Sequence, residues 1–378
     1  MEIYLDNAAT TWPKPAAVYE AVDHFMRRVG ATPGRGGHWR EEEAMRLAIK
    51  ARAKLAQLFH APYPANIVFT LNATHAVNAA LKGLLRPGDH VITSSIEHNA
   101  VWRPLRALEQ RGVELTAAAC APDGTLDPGD VERALRPNTR LIAMLHGSNV
   151  LGTLLPIGEI GQIAHRHGLP FLVDAAQTAG AYPIDVQTMH IDLLAFAGHK
   201  GTYGPHGTGG LVVRPGIELA TWMEGGSGSE SESETMPAEL PGRLEAGTQN
   251  AAGIAGLLAG VDFVLEQGVD RIRAHEIAMA DRLIAGLEQL PGLRVLGPAA
   301  PELRTAVVSV TIEDYFPEQL AAVLDKVFQV ATRAGLHCAP QAHRVAGTLE
   351  TGALRFSPGY FTTAAEIEYT VDALTQAL

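Results

Sequence analysis

Between positions 66 and 213 the chain alternates short apolar runs with longer stretches in which apolar residues recur every three or four positions. The apolar runs fall at 66–70, 90–93, 141–145, 169–173 and 193–196, and they are of strand length. This alternation predicts βαβ units around a mostly parallel sheet. Ligands of such sheets gather at the carboxyl ends of the strands, so the chemistry is to be sought there. Beyond the sheet region, helical spacing returns at 251–267 and 271–289, and 303–311 reads as a strand. The stretch 224–242, built largely of Gly, Ser, Glu and Pro, cannot bury apolar surface and predicts a mobile loop; a plain solvated linker is an equally good reading. The pattern divides the chain into a large domain over 16–267 and a smaller α+β domain over 268–378, preceded by a segment at 1–15. No internal repeat is visible.

Composition narrows the class. The 378 residues exceed one ordinary compact core, and 47% hydrophobic with 19% charged residues is globular in character. The formal net charge is -11 and the basic residues are scattered, which argues against nucleic acid as a partner. Residues 1–6 carry no basic patch followed by an apolar run, so no signal or transit peptide is visible. The most apolar stretch, 251–265, is interrupted by Asp262 and falls short of the ~20 residues needed to span a bilayer. Cys120 and Cys338 fit no disulfide framework, and a reducing cytoplasm suits them best.

Three groups of residues carry candidate chemistry. Asp174 and Lys200 each follow an apolar strand run. A lysine that forms a Schiff base and a carboxylate that keeps a pyridine nitrogen protonated are what pyridoxal 5′-phosphate (PLP) requires. A buried salt bridge between neighbouring strands would produce the same pair. Second, 69–78 reads as a strand turning sharply into a helix, whose amide groups with the Thr74 hydroxyl suit a phosphate; alone, Thr74 reads as an N-cap. His98 follows another strand and is placed to stack on an aromatic cofactor, although a lone histidine is more often structural. Third, Cys338 lies among Gly, Pro, His and Arg in a loop setting that favours a thiolate, with Arg355 as a candidate clamp for an α-carboxylate. Arg355 in a surface ion pair is the ordinary alternative. Cys120 closes an apolar strand and reads as inert packing. No HExxH or Cys/His ligand spacing points to a metal.

Taken jointly, Tyr4-Leu5-Asp6-Asn7-Ala8-Ala9-Thr10-Thr11, Glu97-His98, Ser148-Asn149-Val150-Leu151-Gly152, Val173-Asp174-Ala175-Ala176-Gln177, Gly198-His199-Lys200, Tyr203-Gly204-Pro205, Glu245-Ala246-Gly247-Thr248 and His337-Cys338-Ala339 resemble the cysteine desulfurases of the class V aminotransferase superfamily. The resemblance runs from Leu5 to about Glu366. It implies a fold-type I PLP enzyme, homodimeric, with residues 1–15 near the active site. It makes Lys200 the Schiff-base lysine, Asp174 the partner of the pyridinium, His98 the ring-stacking group and Gln177 the contact to the phenolic oxygen. Ala73, Thr74 and His199 would hold the phosphate, and Thr248 would reach across to the phosphate held by the partner subunit. Asn149 and Arg355 would fix the substrate carboxylate, with Arg333 as a further substrate contact. Cys338 falls at the place of the sulfur-accepting nucleophile. One departure stands out: where the family has Ser or Thr two positions before the histidine of the His-Lys pair, this chain has Ala197.

The expected reaction is therefore conversion of L-cysteine to L-alanine with sulfur passing to Cys338 as a persulfide, and onward to an acceptor protein. The short motif around Cys338 resembles the group acting on free cysteine. The nearest rival is a selenocysteine lyase acting on L-selenocysteine; behind it stand an aminotransferase, epimerase or other β-lyase on the same scaffold. A PLP-binding or PLP-free regulator or scaffold is the reading from a different class, and intact Lys200, Asp174 and Arg355 argue against it.

Overall fold

The computed structural model describes residues 2–34, 37–228 and 230–378. Among them, seven strands form one sheet in the order Ile67–Thr70, Gly209–Val213, Leu193–Ala197, Phe171–Asp174, Thr139–Leu145, His90–Ser94, Glu114–Ala118. Only Gly209–Val213 runs against its neighbours. Helices cover both faces, so the central strands are buried along their whole length, while the edge strand Glu114–Ala118 is half open. Successive residues serve opposite faces. Leu172 and Leu193 pack with Val77, Leu81, Val101 and Leu105 of helices Ala73–Leu84 and Asn99–Glu109. Val173 and Phe196 face Leu55, Ile160 and Leu257 of helices Trp39–Phe59, Ile157–Arg166 and Ala251–Gln267.

A second, antiparallel sheet has the order Arg333–Gly335, Ala353–Phe356, Val308–Ile312, Leu293–Val295. Helices Val269–Leu287, Pro317–Phe328 and Ala364–Ala377 share its core through Leu283, Leu320 and Ile367. The short strand Ile3–Tyr4 pairs in parallel with Val330–Ala331, which puts Ile3 and Leu5 into that same core.

Local departures from the sequence pattern have physical causes. The strand expected at 303–311 begins only at Val308, after a 3-10 turn at Pro301–Leu303. The intervening backbone bonds elsewhere: the Leu303 carbonyl accepts from Leu154 N–H, and Thr305 N–H donates to the Gly152 carbonyl. The described residues of 224–242 form no helix or strand, although Leu240 packs at the edge of the large core. No single helix among the described residues is long and apolar enough to cross a membrane.

Candidate active site

The carboxyl ends of five strands open on one cavity of about 230 Å3. Phe171–Asp174 ends in Asp174, and the turn after Leu193–Ala197 carries His199 and Lys200. The turns after Ile67–Thr70, His90–Ser94 and Thr139–Leu145 bring Ala73 with Thr74, His98 and Asn149. Gln177 and Ala197 complete this side, and Arg333, Cys338 and Arg355 close the cavity from the second sheet and its loops. Every candidate read from the sequence meets here except Thr248, which is exposed and lines a separate cavity with Leu71 and His75.

Burial governs the electrostatics. It lowers the Lys200 amine to about 8, with Asp174 opposing and Arg355 and Arg333 assisting the shift, so a usable fraction is neutral near physiological pH. Burial raises the Asp174 carboxyl, against an Ala176 N–H donated at 3.0 Å and the pull of Lys200. A cationic ring nitrogen beside Asp174 would supply the counter-charge that a buried carboxylate lacks. His98 caps helix Asn99–Glu109 by accepting Ala100 N–H on Nδ1 at 3.0 Å, which leaves its proton on Nε2; burial holds it neutral, at about 4.

The other end of the cavity suits an anion. Asn72, not Thr74, caps helix Ala73–Leu84, its Oδ1 accepting His75 N–H at 2.9 Å. The Thr74 hydroxyl is thereby released beside the first amide groups of the helix. His199, lowered to about 3 chiefly by burial, has a buried Nδ1 with no hydrogen-bond partner among the described residues. Lys14, which sequence reasoning passed over, donates Nζ to the His199 carbonyl at 2.7 Å. Ala197 offers no hydroxyl. The residues present therefore fit a phosphorylated pyridine aldehyde: an amine, a carboxylate, a flat neutral imidazole and an anion cradle in one cavity.

The substrate side holds more than the motifs show. Arg355 is buried rather than on the surface, 2% exposed; Nη2 donates to Asp6 Oδ1 at 2.6 Å, Nη1 to the Asn149 carbonyl at 3.1 Å, and its buried Nε has no partner among the described residues. Asp6 arrives from the opposite end of the chain, a pairing that no local spacing signals. His337 and Cys338 both adopt left-handed backbone, at φ 51 and 58. Asn149 Nδ2 donates to the His337 carbonyl at 2.6 Å and Asn99 N–H to the Cys338 carbonyl at 2.8 Å, pinning the turn at both peptide units. Cys338 stays exposed at the cavity mouth, whereas Cys120 is half-buried and its thiol is raised by burial.

A family model described as aminotransferase class-V matches residues 3–370. The chain belongs to this family. Among curated members, this chain is 36% identical to a probable cysteine desulfurase of Methanothermobacter thermautotrophicus, over 99% of this chain and 94% of the relative. It is likewise 36% identical to a cysteine desulfurase of Dickeya dadantii, over 89% of this chain and 82% of the relative. Of solved structures, the apo cysteine desulfurase of Thermococcus onnurineus superposes with a TM-score of 0.94 at 32% identity, covering 100% of this chain and 94% of that one. The mixed α/β architecture, with its large mostly parallel sheet, is that of fold-type I PLP enzymes.

Proposed function

We infer that the protein is a PLP-dependent cysteine desulfurase, converting L-cysteine to L-alanine and storing the sulfur on Cys338 as a persulfide. The observation that carries this reading is that Cys338 opens on the same cavity as Lys200, Asp174 and Arg355. A thiol at that place has no task in plain amino-group transfer.

Lys200 would carry PLP, with Asp174 at the ring nitrogen, His98 against the ring, Gln177 at the phenolic oxygen, and Ala73, Thr74 and His199 around the phosphate. Bound PLP supplies an electron sink that stabilises negative charge at the substrate Cα. Arg355 and Asn149 orient the substrate carboxylate, and Arg333 lends further positive charge. The neutral Lys200 amine takes the Cα proton and later returns one. The Cys338 thiolate attacks the substrate sulfur; an S–S bond forms, the Cβ–S bond breaks with its electron pair passing to carbon, and Cβ gains a proton. His98, protonated on Nε2, is within the cavity to donate it.

The same reading includes a homodimer. Trp12, Tyr19 and Met26 are 48%, 51% and 66% exposed along one broad groove, an apolar surface that a second copy would cover, with Thr248 reaching the partner's site. Two free cysteines support a reducing compartment such as the cytoplasm. Exposure of Cys338 leaves its sulfur accessible to an acceptor protein. The test is to incubate the purified protein with PLP, L-cysteine and a thiol, and to assay alanine and sulfide together: equal amounts of both support the reading, and pyruvate or keto acid in place of alanine refutes it. Much faster turnover of L-selenocysteine with no sulfide from L-cysteine would make it a selenocysteine lyase instead.

A further inference from the structure

Glu276 occupies the core-facing stripe of helix Val269–Leu287, in line with Ile272, Met279, Ala280, Leu283 and Leu287. It is 8% exposed and makes no hydrogen bond or ion pair with any described residue. Arg273, the cation nearest on its helix, lies instead over the Tyr182 ring at 4.9 Å. A carboxyl buried without a partner is costly unless it is neutral or hydrated. Burial does raise it, to about 8.

Glu276 borders a small cavity of about 40 Å3 behind the active site. Tyr182, Thr11 and Ser357 line that cavity with it, and so do Ala8, Gln177 and Lys200, which also line the main cavity. The partition between the two spaces is thus these three residues. A single water needs about 10–15 Å3 and several polar partners, and this chamber offers both.

We propose that the chamber holds water joining the Glu276 carboxyl to Lys200, and that Glu276 is a positioning group through which the Lys200 amine exchanges its proton while substrate fills the main cavity. The inference rests on the PLP reading of Lys200 but not on sulfur transfer. A deuteron taken from the substrate Cα by Lys200 passes into the chamber, and a proton from water or Glu276 replaces it before return to Cα.

Two measurements test this. In infrared difference spectra of the protein without substrate, the C=O stretch of a protonated carboxylic acid at neutral pH should lose a component in Glu276→Gln that Glu97→Gln, at another buried acid, retains. With PLP-loaded enzyme, wash-out of deuterium from the Cα of L-alanine should slow about tenfold in Glu276→Gln. Should that variant fail to fold, Glu276→Met, which continues the apolar stripe, takes its place in both. A carboxylic-acid band unchanged by the substitution, or wash-out as fast as in the parent, overturns the assignment. Failure of the desulfurase reading would show separately, as intact wash-out from alanine with no sulfide from cysteine.

Discussion

Asp6→Asn tests how the substrate arginine is held. In the native protein Arg355 is 2% exposed and its Nη2 meets Asp6 Oδ1 at 2.6 Å, while Asp6 itself keeps 18% side-chain exposure. Removing one member of a buried pair leaves the other charge uncompensated, which costs about 3–5 kcal/mol. The partial exposure of Asp6 and the Asn149 carbonyl at 3.1 Å put this case at the low end, about 3 kcal/mol. An unfolding entropy of about 2.1 cal/mol/K per residue gives roughly 0.8 kcal/mol/K for 378 residues, so Tm should fall by about 4 °C. Scanning calorimetry of the apo-protein reads it. The double variant Asp6→Asn/Arg355→Met should be less destabilised than the two single changes combined, because the stranded charge is gone. A Tm change under about 1 °C for Asp6→Asn, or simple additivity in the double variant, refutes the argument.

Other outcomes follow from the same geometry. Lys200 in the apo-protein should react with aldehyde and borohydride with a midpoint near pH 8, where burial places its amine; a midpoint typical of exposed lysine contradicts the buried setting. Ala197→Ser should slow PLP loss on dialysis about tenfold by restoring a hydroxyl to the cavity wall, and unchanged retention would place the phosphate elsewhere. Cys338→Ala should keep the spectral response to cysteine yet lose most alanine and sulfide production, whereas Cys120→Ala should be neutral; the reverse would move the nucleophile. Glu97 is fully buried and raised to about 8 against an ordinary 4.5, so between those values the native state holds a proton that the unfolded chain releases and stability declines as pH rises. Glu97→Gln should flatten the Tm–pH curve over that interval, and identical slopes would show Glu97 ionised in the fold.

The parts of the site that lie at strand ends were legible, because period and strand length locate those ends without any knowledge of tertiary contacts. Asp174, Lys200 and His98 are of this kind. Asp6 and Lys14 were not legible as supports of the site: each meets a site residue from a distant part of the chain, Asp6 through Arg355 beside the pairing of Ile3–Tyr4 with Val330–Ala331, and Lys14 through the His199 carbonyl. Glu276 was hidden for another reason. A helical pattern assigns a glutamate to the solvent side, and only packing reveals that it stands in the apolar stripe. Thr74 was half legible: the turn was seen, but the capping role belongs to Asn72, two residues earlier. The strand ending at Ile312 was over-extended toward its start, because apolar content alone does not show that residues 303–305 bond to a loop of the larger unit.

The pinned left-handed turn at His337 and Cys338 bears on delivery. Non-glycine residues in this region cost of order 1–3 kcal/mol each and persist only where the surroundings over-determine them, as Asn149 and Asn99 do here. A sulfur atom carried on so constrained a support cannot be swung outward on a flexible arm. On the desulfurase reading, the receiver has to travel instead: a slender thiol, or the tip of an acceptor narrow enough to enter the cavity mouth, comes to the cargo, and the shape of that mouth selects who may collect it.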